Sequence, residues 1–359
     1  MPTDFRAGQF TELVYYFSYA DIIPFILTNL MKKILIILFF AVALNACESS
    51  KNIEQKSPPL SNVEKHTEMA MPKASSVQIA LDIKYLASDD LKGRDTGSVG
   101  IAKAAAYISR QFSEIGIEPY RDSYMDYFKA KEKEAFNVVA IISGSDKDLT
   151  KEVVVIGAHY DHVGMLEAVA GDSIANGAND NATGTASVLA IAANFKKLDL
   201  NKRTIVFALF SAEEKGLLGS KHLAQRMKED GVNVVAMINF EMIGTPMIDR
   251  PYITYLTGHD VSNMATVFNT QNDARLVTGK LDQAAKFNLF ARSDNYPFFQ
   301  AFNVPSHTFS TFDFTNFDQY HKVGDEISQV NTTHVAKVID ALMPGIFKIV
   351  NGEKLKLTP

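Results

Sequence analysis

Between about residues 136 and 257, short runs of β-branched and other apolar residues alternate with stretches whose apolar residues recur at helical spacing. The runs predict strands at residues 136–142, 153–156, 204–210, 234–240 and 252–257. The spacing predicts helices at residues 77–87, 101–116, 183–197 and 217–227. Strands that alternate with helices predict an α/β fold, a three-layer sandwich whose central sheet is mostly parallel but mixed and is flanked by helices.

Carboxylate and imidazole side chains come within a few residues of the ends of three predicted strands: His159, Asp161, Glu213, Glu214 and Glu241. Two more candidates, Asp180 and His321, lie ahead of a predicted helix and in a late loop. Because ligands of such sheets bind beyond the carboxyl ends of the strands, we expect these side chains at one edge of the sheet. Leaving so many ionisable groups unpaired would cost free energy. A pair of zinc ions accounts for them, since zinc binds imidazole and carboxylate and two ions can share one carboxylate.

The spacing within these clusters indicates different roles. In an extended segment side chains two residues apart point to the same side, so Asp161 would lie beside His159 and need not bind the same ion. Asp161 is better placed to orient an imidazole. Glu213 and Glu214 are adjacent and point apart, so one can hold metal while the other stays free as a general base.

Five motifs occur in an order that resembles the di-zinc aminopeptidases of metallopeptidase family twenty-eight: GAHYDHVG, GANDNATGTA, FSAEEKGLLGS, INFEMIG and YHKVGDE. The resemblance covers about residues 79–349, including the early segment LASDDLKGRDTGSVG, and implies a zinc-exopeptidase type of fold. It implies that His159 and Glu241 hold one zinc, that Glu214 and His321 hold the other, and that Asp180 bridges the two.

The resemblance also implies that Glu213 is the general base, that Asp161 supports His159, and that the peptide bond from Asp180 to Asn181 is cis. The expected reaction is hydrolysis of the N-terminal peptide bond of short peptides, with water activated between two Zn²⁺ per chain. Since residues 120–136 leave no room for an inserted domain, we expect only loops to cover the site.

Two positions depart from the family pattern. Glu241 stands where many members have Asp, so its carboxylate reaches one methylene further. Asn295 stands where many members have His. If that position stabilises the oxyanion, we expect the amide of Asn295, or a neighbour such as Tyr296 or Tyr320, to do so here.

Other residues are expected to have structural roles. His162 is close enough in sequence to be a ligand, but we expect it to support the site. His307 lies in a strand-like apolar segment and is expected to be a hydrogen-bonded core histidine. Ser211 and Ser293 belong to no G-x-S-x-G motif, which argues against a serine hydrolase.

Three alternative functions remain open. The same fold and metals serve carboxypeptidases and other amidohydrolases. Glutaminyl cyclases resemble this family but use a single zinc, and a set of five ligands argues against that reading. A non-catalytic surface binding protein would normally have lost ligands or the base.

The amino-terminal region resembles a bacterial lipoprotein signal at residues 31–47. Lys32 and Lys33 precede an apolar run that ends in Leu44-Asn45-Ala46-Cys47, and Cys47 is the only cysteine of the chain. We expect Cys47 to be lipidated, and the protein to be exported and anchored in the bacterial cell envelope, at its periplasmic face or the cell surface. Residues 1–30 are then expected to be a mis-called extension that begins before the true start at Met31.

The composition predicts the remaining organisation. Residues 48–74 are rich in Ser, Lys, Glu and Pro and are expected to be a flexible tether, and residues 75–359 are expected to form a single peptidase domain. A net charge of −5 without a clustered basic run gives no reason to expect nucleic acid as a partner. The sequence leaves the oligomeric state and the preferred side chain open.

Overall fold

The computed structural model of the chain describes residues 70–270 and 276–359. Its strands are β1 (Glu118–Pro119), β2 (Met125–Ala130), β3 (Lys133–Ile142), β4 (Glu152–His159), β5 (Gly164–Val169), β6 (Asp172–Ala175), β7 (Thr204–Phe210), β8 (Asn233–Phe240), β9 (Tyr252–Leu256), β10 (Leu276–Gly279) and β11 (Ser306–Ser310). Its α-helices are α1 (Ser76–Leu86), α2 (Val99–Ile115), α3 (Thr183–Leu198), α4 (Leu218–Glu229), α5 (Met264–Phe268), α6 (Asp282–Lys286), α7 (Asn295–Phe302) and α8 (Thr332–Val350).

Nine strands form one mixed sheet in the order β1-β3-β7-β4-β8-β11-β9-β10, and β2 also pairs with β3. The four central strands β7, β4, β8 and β11 run parallel to one another. Strand β3 is antiparallel to β7, and β9 is antiparallel to β11. Strands β5 and β6 form a separate two-stranded hairpin. The predicted fold class, a mostly parallel but mixed sheet between helices, is confirmed.

Both faces of the central sheet are covered by helices. In β7, Ile205 and Phe207 belong to a core shared with α1, α2, α3, α5 and α8. Val206 and Ala208 face the opposite side, where they pack with residues of α4 and α7. Burial on both faces explains why the central strands are continuous apolar runs in the sequence. Truncating a fully buried side chain such as Phe207 to alanine would cost about 3–5 kcal/mol.

Capping residues set the bounds of the first two helices. The Ser75 hydroxyl accepts a hydrogen bond from the Gln78 amide and starts α1. Ser98 does the same for the Ile101 amide and starts α2, which is capped at its carboxyl end by Gly116 with φ +81°.

The predictions for residues 1–47 and for most of the tether at 48–74 lie outside the described residues. Among the described helices, none is long and apolar enough to cross a membrane.

Candidate metal centre

Ionisable side chains lie at the carboxyl ends of three parallel strands, at the same edge of the sheet. His159 is the last residue of β4, Glu213 and Glu214 follow β7, and Glu241 follows β8 directly. Because β4 lies between β7 and β8, these residues meet around its carboxyl end.

The loop between β6 and α3 brings Asp180 to the same edge. Gly177 has φ +59°, and a Cβ at this position would lie 2.4 Å from the Asp180 carbonyl oxygen and 2.6 Å from the His162 ring. Glycine is therefore required for the loop to pass so close to His162. The peptide bond between Asp180 and Asn181 is cis, as the family resemblance implies.

Asn181 links this loop to the end of β8. Its Nδ2 donates to the Phe240 carbonyl at 2.9 Å, and its Oδ1 accepts from the Met242 amide at 3.1 Å. These two residues flank Glu241, so the loop that carries Asp180 is fixed relative to Glu241.

Asp325 links the same loop to the segment that carries His321. Its two carboxylate oxygens accept from the amides of Asn179 at 2.7 Å and Asp180 at 3.0 Å. Burial raises the pKa of Asp325 to about 6. Sequence reasoning missed this residue, although it lies four positions after His321 inside the motif YHKVGDE.

Two sets of potential metal-binding atoms meet at Asp180. In the first set, the ligand atoms of His159, Asp180 and Glu241 lie within 4.8 Å of one another. In the second set, those of His162, Asp180, Glu214 and His321 do so. The structure thus brings together the five side chains expected as ligands, and Asp180 belongs to both sets.

The two oxygens of Asp180 face different histidines. Oδ1 lies 3.3 Å from His159 Nε2, and Oδ2 lies 3.2 Å from His321 Nε2. Glu214 Oε1 lies 3.1 Å from His321 Nε2 and 3.1 Å from His162 Nδ1. His162, for which a supporting role was expected, therefore belongs to the second set by position. Glu213 belongs to neither set.

Asp161 is positioned to support both neighbouring loops. It is fully buried, and its Oδ1 accepts from the Glu213 amide at 3.1 Å. The same Oδ1 lies 3.8 Å from His159 Nδ1, which contacts the Asp161 carbonyl at 3.1 Å. Burial raises the pKa of Asp161 to about 6, against the opposing influence of His159.

The site carries an excess of buried negative charge. Burial raises the pKa of Glu241 to about 7, with His159 opposing and Asp180 reinforcing the change. Burial also raises the pKa of Glu213 well above its ordinary value, with His159 opposing and Glu241 and Asp294 reinforcing. Each of these carboxylates would ionise more easily beside a cation.

Ser293 and Asp294 adjoin Glu241 and were not recognised as site residues from the sequence. The Ser293 hydroxyl donates to Glu241 Oε2 and accepts from Asn239 Nδ2 at 2.8 Å. Asp294 is fully buried. Burial raises the pKa of Asp294 to about 7. The only sequence signal was their position in the segment that precedes Asn295.

Of the three candidate substrate residues, only Tyr320 lines the cavity of about 580 Å³ beside the metal centre. Its ring stacks on His321 with the centroids 3.9 Å apart. Asn295 is fully buried instead, and its Nδ2 donates to the carbonyls of Phe290 at 3.0 Å and Ser306 at 3.2 Å. Its Oδ1 accepts from the Thr308 hydroxyl. Core partners therefore occupy the amide of Asn295, and this geometry does not support the oxyanion role expected for it.

Tyr296 also lies away from the cavity wall. Its ring contacts Phe290 and Phe299, with centroids 5.8 Å and 6.2 Å away. Apolar side chains contributed by Met242, Tyr255, Leu289, Phe312 and Phe314 form much of the wall instead.

The side chains fit a pair of metal ions. His159 Nε2 is buried and lies 3.3 Å from Asp180 Oδ1 without the geometry of a hydrogen bond. Buried polar atoms are normally paired, and unpaired ones beside carboxylates are expected where metal ligands converge. Imidazole nitrogens and carboxylate oxygens together are the donor set that zinc prefers in catalytic sites.

Solved structures of other proteins share the architecture. A zinc aminopeptidase from Bacillus subtilis superposes with a TM-score of 0.60 at 16% identity, covering 79% of this chain and 97% of that one. Porphyromonas gingivalis glutaminyl cyclase superposes with a TM-score of 0.58 at 14% identity, covering 77% and 99%. At these identities the likeness shows the fold alone. The class that the fold defines is therefore the α/β sandwich found in zinc aminopeptidases and in that cyclase.

The sequence comparison is more specific. Residues 137–344 match Peptidase family M28, and the chain belongs to this family. A probable leucine aminopeptidase of Trichophyton verrucosum (strain HKI 0517) is 28% identical over 222 residues, which are 58% of this chain and 55% of that protein. The chain spans about half the length of the curated relatives it matches.

Proposed function

We propose that this protein is a zinc-dependent exopeptidase that removes the amino-terminal residue from short peptides. The observation that carries the proposal is the position of Asp180, which belongs to two donor sets, with Glu213 beside them and outside both. A relative named as a leucine aminopeptidase and a structural neighbour titled a zinc aminopeptidase support it.

The ligands are assigned from the two donor sets, with His162 of the second set given a supporting role. His159 and Glu241 would hold one zinc, Glu214 and His321 would hold the other, and Asp180 would bridge them. His162 would orient Glu214 through its contact at 3.1 Å. When bound, two zinc ions supply Lewis acidity, which lowers the pKa of a water molecule and polarises a carbonyl group.

Glu213 is assigned the proton transfers. It takes a proton from the attacking water and returns it to the departing amine, so that the C–N bond breaks as the nitrogen is protonated. Burial and the charges of Glu241 and Asp294, opposed by His159, raise the pKa of Glu213. The amides of Glu213 and Glu214 are hydrogen-bonded to Asp161, at 3.1 Å and 3.4 Å, which holds both carboxylates in place.

The cavity favours an apolar residue at the cleaved end. Its wall includes Met242, Leu289, Phe312 and Phe314, which would bury an aliphatic or aromatic side chain. Burying such a side chain fully is worth about 1.5–3 kcal/mol. The volume of about 580 Å³ suits a short peptide end rather than a folded protein.

Glutaminyl cyclisation is the second candidate, since a glutaminyl cyclase shares the fold. Two donor sets argue for two ions and therefore for hydrolysis. Carboxypeptidase or other amidohydrolase activity, and non-catalytic binding, are the remaining alternatives.

Metal content and substrate assays test the proposal together. We expect about two zinc ions per chain and hydrolysis of leucyl-nitroanilide that is lost on chelation and restored by zinc. The matched control is N-acetyl-leucyl-nitroanilide, which lacks the free amine and should not be cleaved. Turnover of the acetylated substrate, of carboxypeptidase substrates, or of an N-terminal glutaminyl peptide to its cyclic form would replace the aminopeptidase assignment. A protein that binds no metal would overturn it.

We also propose that Cys47 carries a lipid anchor and that the protein is exported to the cell envelope. The support is the sequence of residues 31–47 alone. Processing before Cys47 that is blocked by a lipoprotein signal peptidase inhibitor, and abolished in Cys47→Ser, is expected. Processing that is unaffected by both would contradict the anchor.

A further inference from the structure

A short segment ahead of the family match contacts three of the loops that build the metal centre. Residues 93–97, with the sequence GRDTG, precede residues 137–344 that match the family. We call residues 93–97 the strap. Gly93 has φ +67°, and a Cβ there would lie 2.4 Å from the Ala175 carbonyl oxygen, so the strap packs directly against the chain that leads to Asp180.

Arg94 is the centre of the strap. Its side chain is among the largest fully buried ones, with 1% of the residue exposed. Nε donates to the Tyr160 carbonyl at 2.7 Å, and Nη2 donates to the Gly177 carbonyl at 2.9 Å. Nη1 donates to the carbonyls of Asn176, at 2.7 Å, and Leu86. All four hydrogen bonds therefore go to main-chain oxygens.

Three of these carbonyls, those of Tyr160, Asn176 and Gly177, belong to the two loops that converge on the bridging carboxylate, and the fourth, that of Leu86, ends α1. Tyr160 stands between His159 and Asp161, and Gly177 stands three residues before Asp180. One planar guanidinium thus spans both loops, and its fixed fork of donors sets the distance between them.

The other strap residues contact the third loop and Asp161. Asp95 Oδ1 lies 2.8 Å from Lys215 Nζ, the residue that follows Glu214. The Thr96 hydroxyl donates to Asp161 Oδ2 at 3.4 Å.

The charge of Arg94 suits this position. Burial lowers the pKa of Arg94 to about 10, and the nearby charges of Asp325, Asp161, Asp180 and Glu214 limit the change. The guanidinium therefore stays charged at neutral pH and offsets part of the negative charge of the centre. A buried cation costs free energy unless it is hydrogen-bonded, and the four carbonyls accept from four of its five N–H donors.

We propose that the strap is a positioning element of the metal centre, with Arg94 as its principal residue. By holding the carbonyls of Tyr160 and Gly177, Arg94 keeps His159 and Asp180 at the spacing that metal binding requires. This inference rests on the proposed binding of zinc at the centre.

Arg203 provides a matched control. It is also buried, with 5% exposed, and its Nε donates to Glu152 Oε2 at 2.7 Å. Its Nη1 donates to the carbonyls of Glu353, at 2.8 Å, and Ile349. Arg203 precedes the first residue of β7, whereas the metal centre follows the last, so it lies at the opposite edge of the sheet.

The test compares Arg94→Lys with Arg203→Lys in the full chain. Zinc affinity is measured by competition with a chromophoric chelator, and Tm is measured on the metal-free proteins. Lysine keeps the charge but loses buried hydrogen bonds at either position, so both variants should have a lower Tm. Because lysine at position 94 cannot reach both loops, only Arg94→Lys should bind zinc about 10–100-fold more weakly. At saturating zinc, kcat of Arg94→Lys should recover in part.

Equal zinc affinity in Arg94→Lys and wild type would overturn the inference while leaving the proposed function intact. Absence of zinc binding in wild type would instead refute the proposed function. If Arg94→Lys does not fold, Thr96→Val becomes the deciding variant, because it removes only the hydroxyl that contacts Asp161. Weaker zinc binding would support the strap's role, and wild-type affinity would overturn it.

Discussion

Glu213 and Glu214 are adjacent and chemically identical, yet the structure places them differently. Glu214 Oε1 lies 3.1 Å from both His162 Nδ1 and His321 Nε2, whereas Glu213 is outside both donor sets. Replacing each glutamate by glutamine keeps the size of the side chain and removes its charge. The pair Glu213→Gln and Glu214→Gln therefore separates loss of the base from loss of a ligand.

We expect Glu213→Gln to lower kcat by about 10²–10⁴-fold, the usual contribution of a positioned general base. This corresponds to about 2.7–5.5 kcal/mol in the activation free energy. Zinc content should be unchanged. Metal-free Glu213→Gln should be more stable than the metal-free wild type. Burial raises the pKa of Glu213, with His159 opposing and Glu241 and Asp294 reinforcing the change, so the ionised form is unfavourable in the folded protein.

Glu214→Gln should behave oppositely in both respects. Burial alone would raise the pKa of Glu214, but the hydrogen bonds with His162 and His321 hold it below its ordinary value. Its charge is therefore favourable when the protein is folded, and glutamine should lower the metal-free Tm and weaken zinc binding.

The assay is leucyl-nitroanilide hydrolysis at saturating zinc, together with metal content and metal-free Tm for wild type and both variants. A Glu213→Gln protein that keeps most of its kcat, or that loses zinc together with activity, would refute the separation of base from ligand. Parallel Tm shifts in the two variants would refute the electrostatic argument.

Three further predictions concern other parts of the site and the core. Asp180→Asn should lower zinc occupancy at both positions, because both donor sets share this residue; loss of one ion only, by metal analysis, would show that it does not bridge. Asn295→Ala should lower Tm by loss of buried hydrogen bonds and leave kcat nearly unchanged, and a large fall in kcat at full zinc would restore an oxyanion role. Burial lowers the pKa of His307 to about 4, although its hydrogen bond to the Thr257 carbonyl opposes the change. The neutral imidazole therefore contributes its full stability above pH 6.5, and this contribution is lost as the pH falls toward 4. The difference in free energy of unfolding between wild type and His307→Asn, measured with urea, should shrink by about 3 kcal/mol over that range. A difference that does not change with pH would contradict this prediction.

Much of the fold could be predicted because its signals are local. The strand at residues 204–210 was predicted with the bounds that β7 has, since a strand buried on both faces is a continuous apolar run. The expected core role of His307 agrees with its contacts, Nδ1 to the Thr257 carbonyl at 2.8 Å and Nε2 to the Ser262 hydroxyl at 2.7 Å. Helix α8 was not predicted, and it contains Pro344, a residue that normally interrupts a helix.

The sequence by itself also determined which ionisable residues follow the central strands, and parallel pairing then requires them to share one edge of the sheet. Only the tertiary structure decided which of them face one another, because side-chain direction depends on contacts between segments far apart in the chain. Asp325 contacts the amide of Asp180 across 145 positions, and Arg94 contacts Tyr160 across 66. Asn295 looked like a site residue from its motif, but hydrogen bonds to Phe290 and Ser306 turn its amide into the core. Such contacts between distant residues cannot be predicted from local sequence, since each depends on where the rest of the chain places the partner.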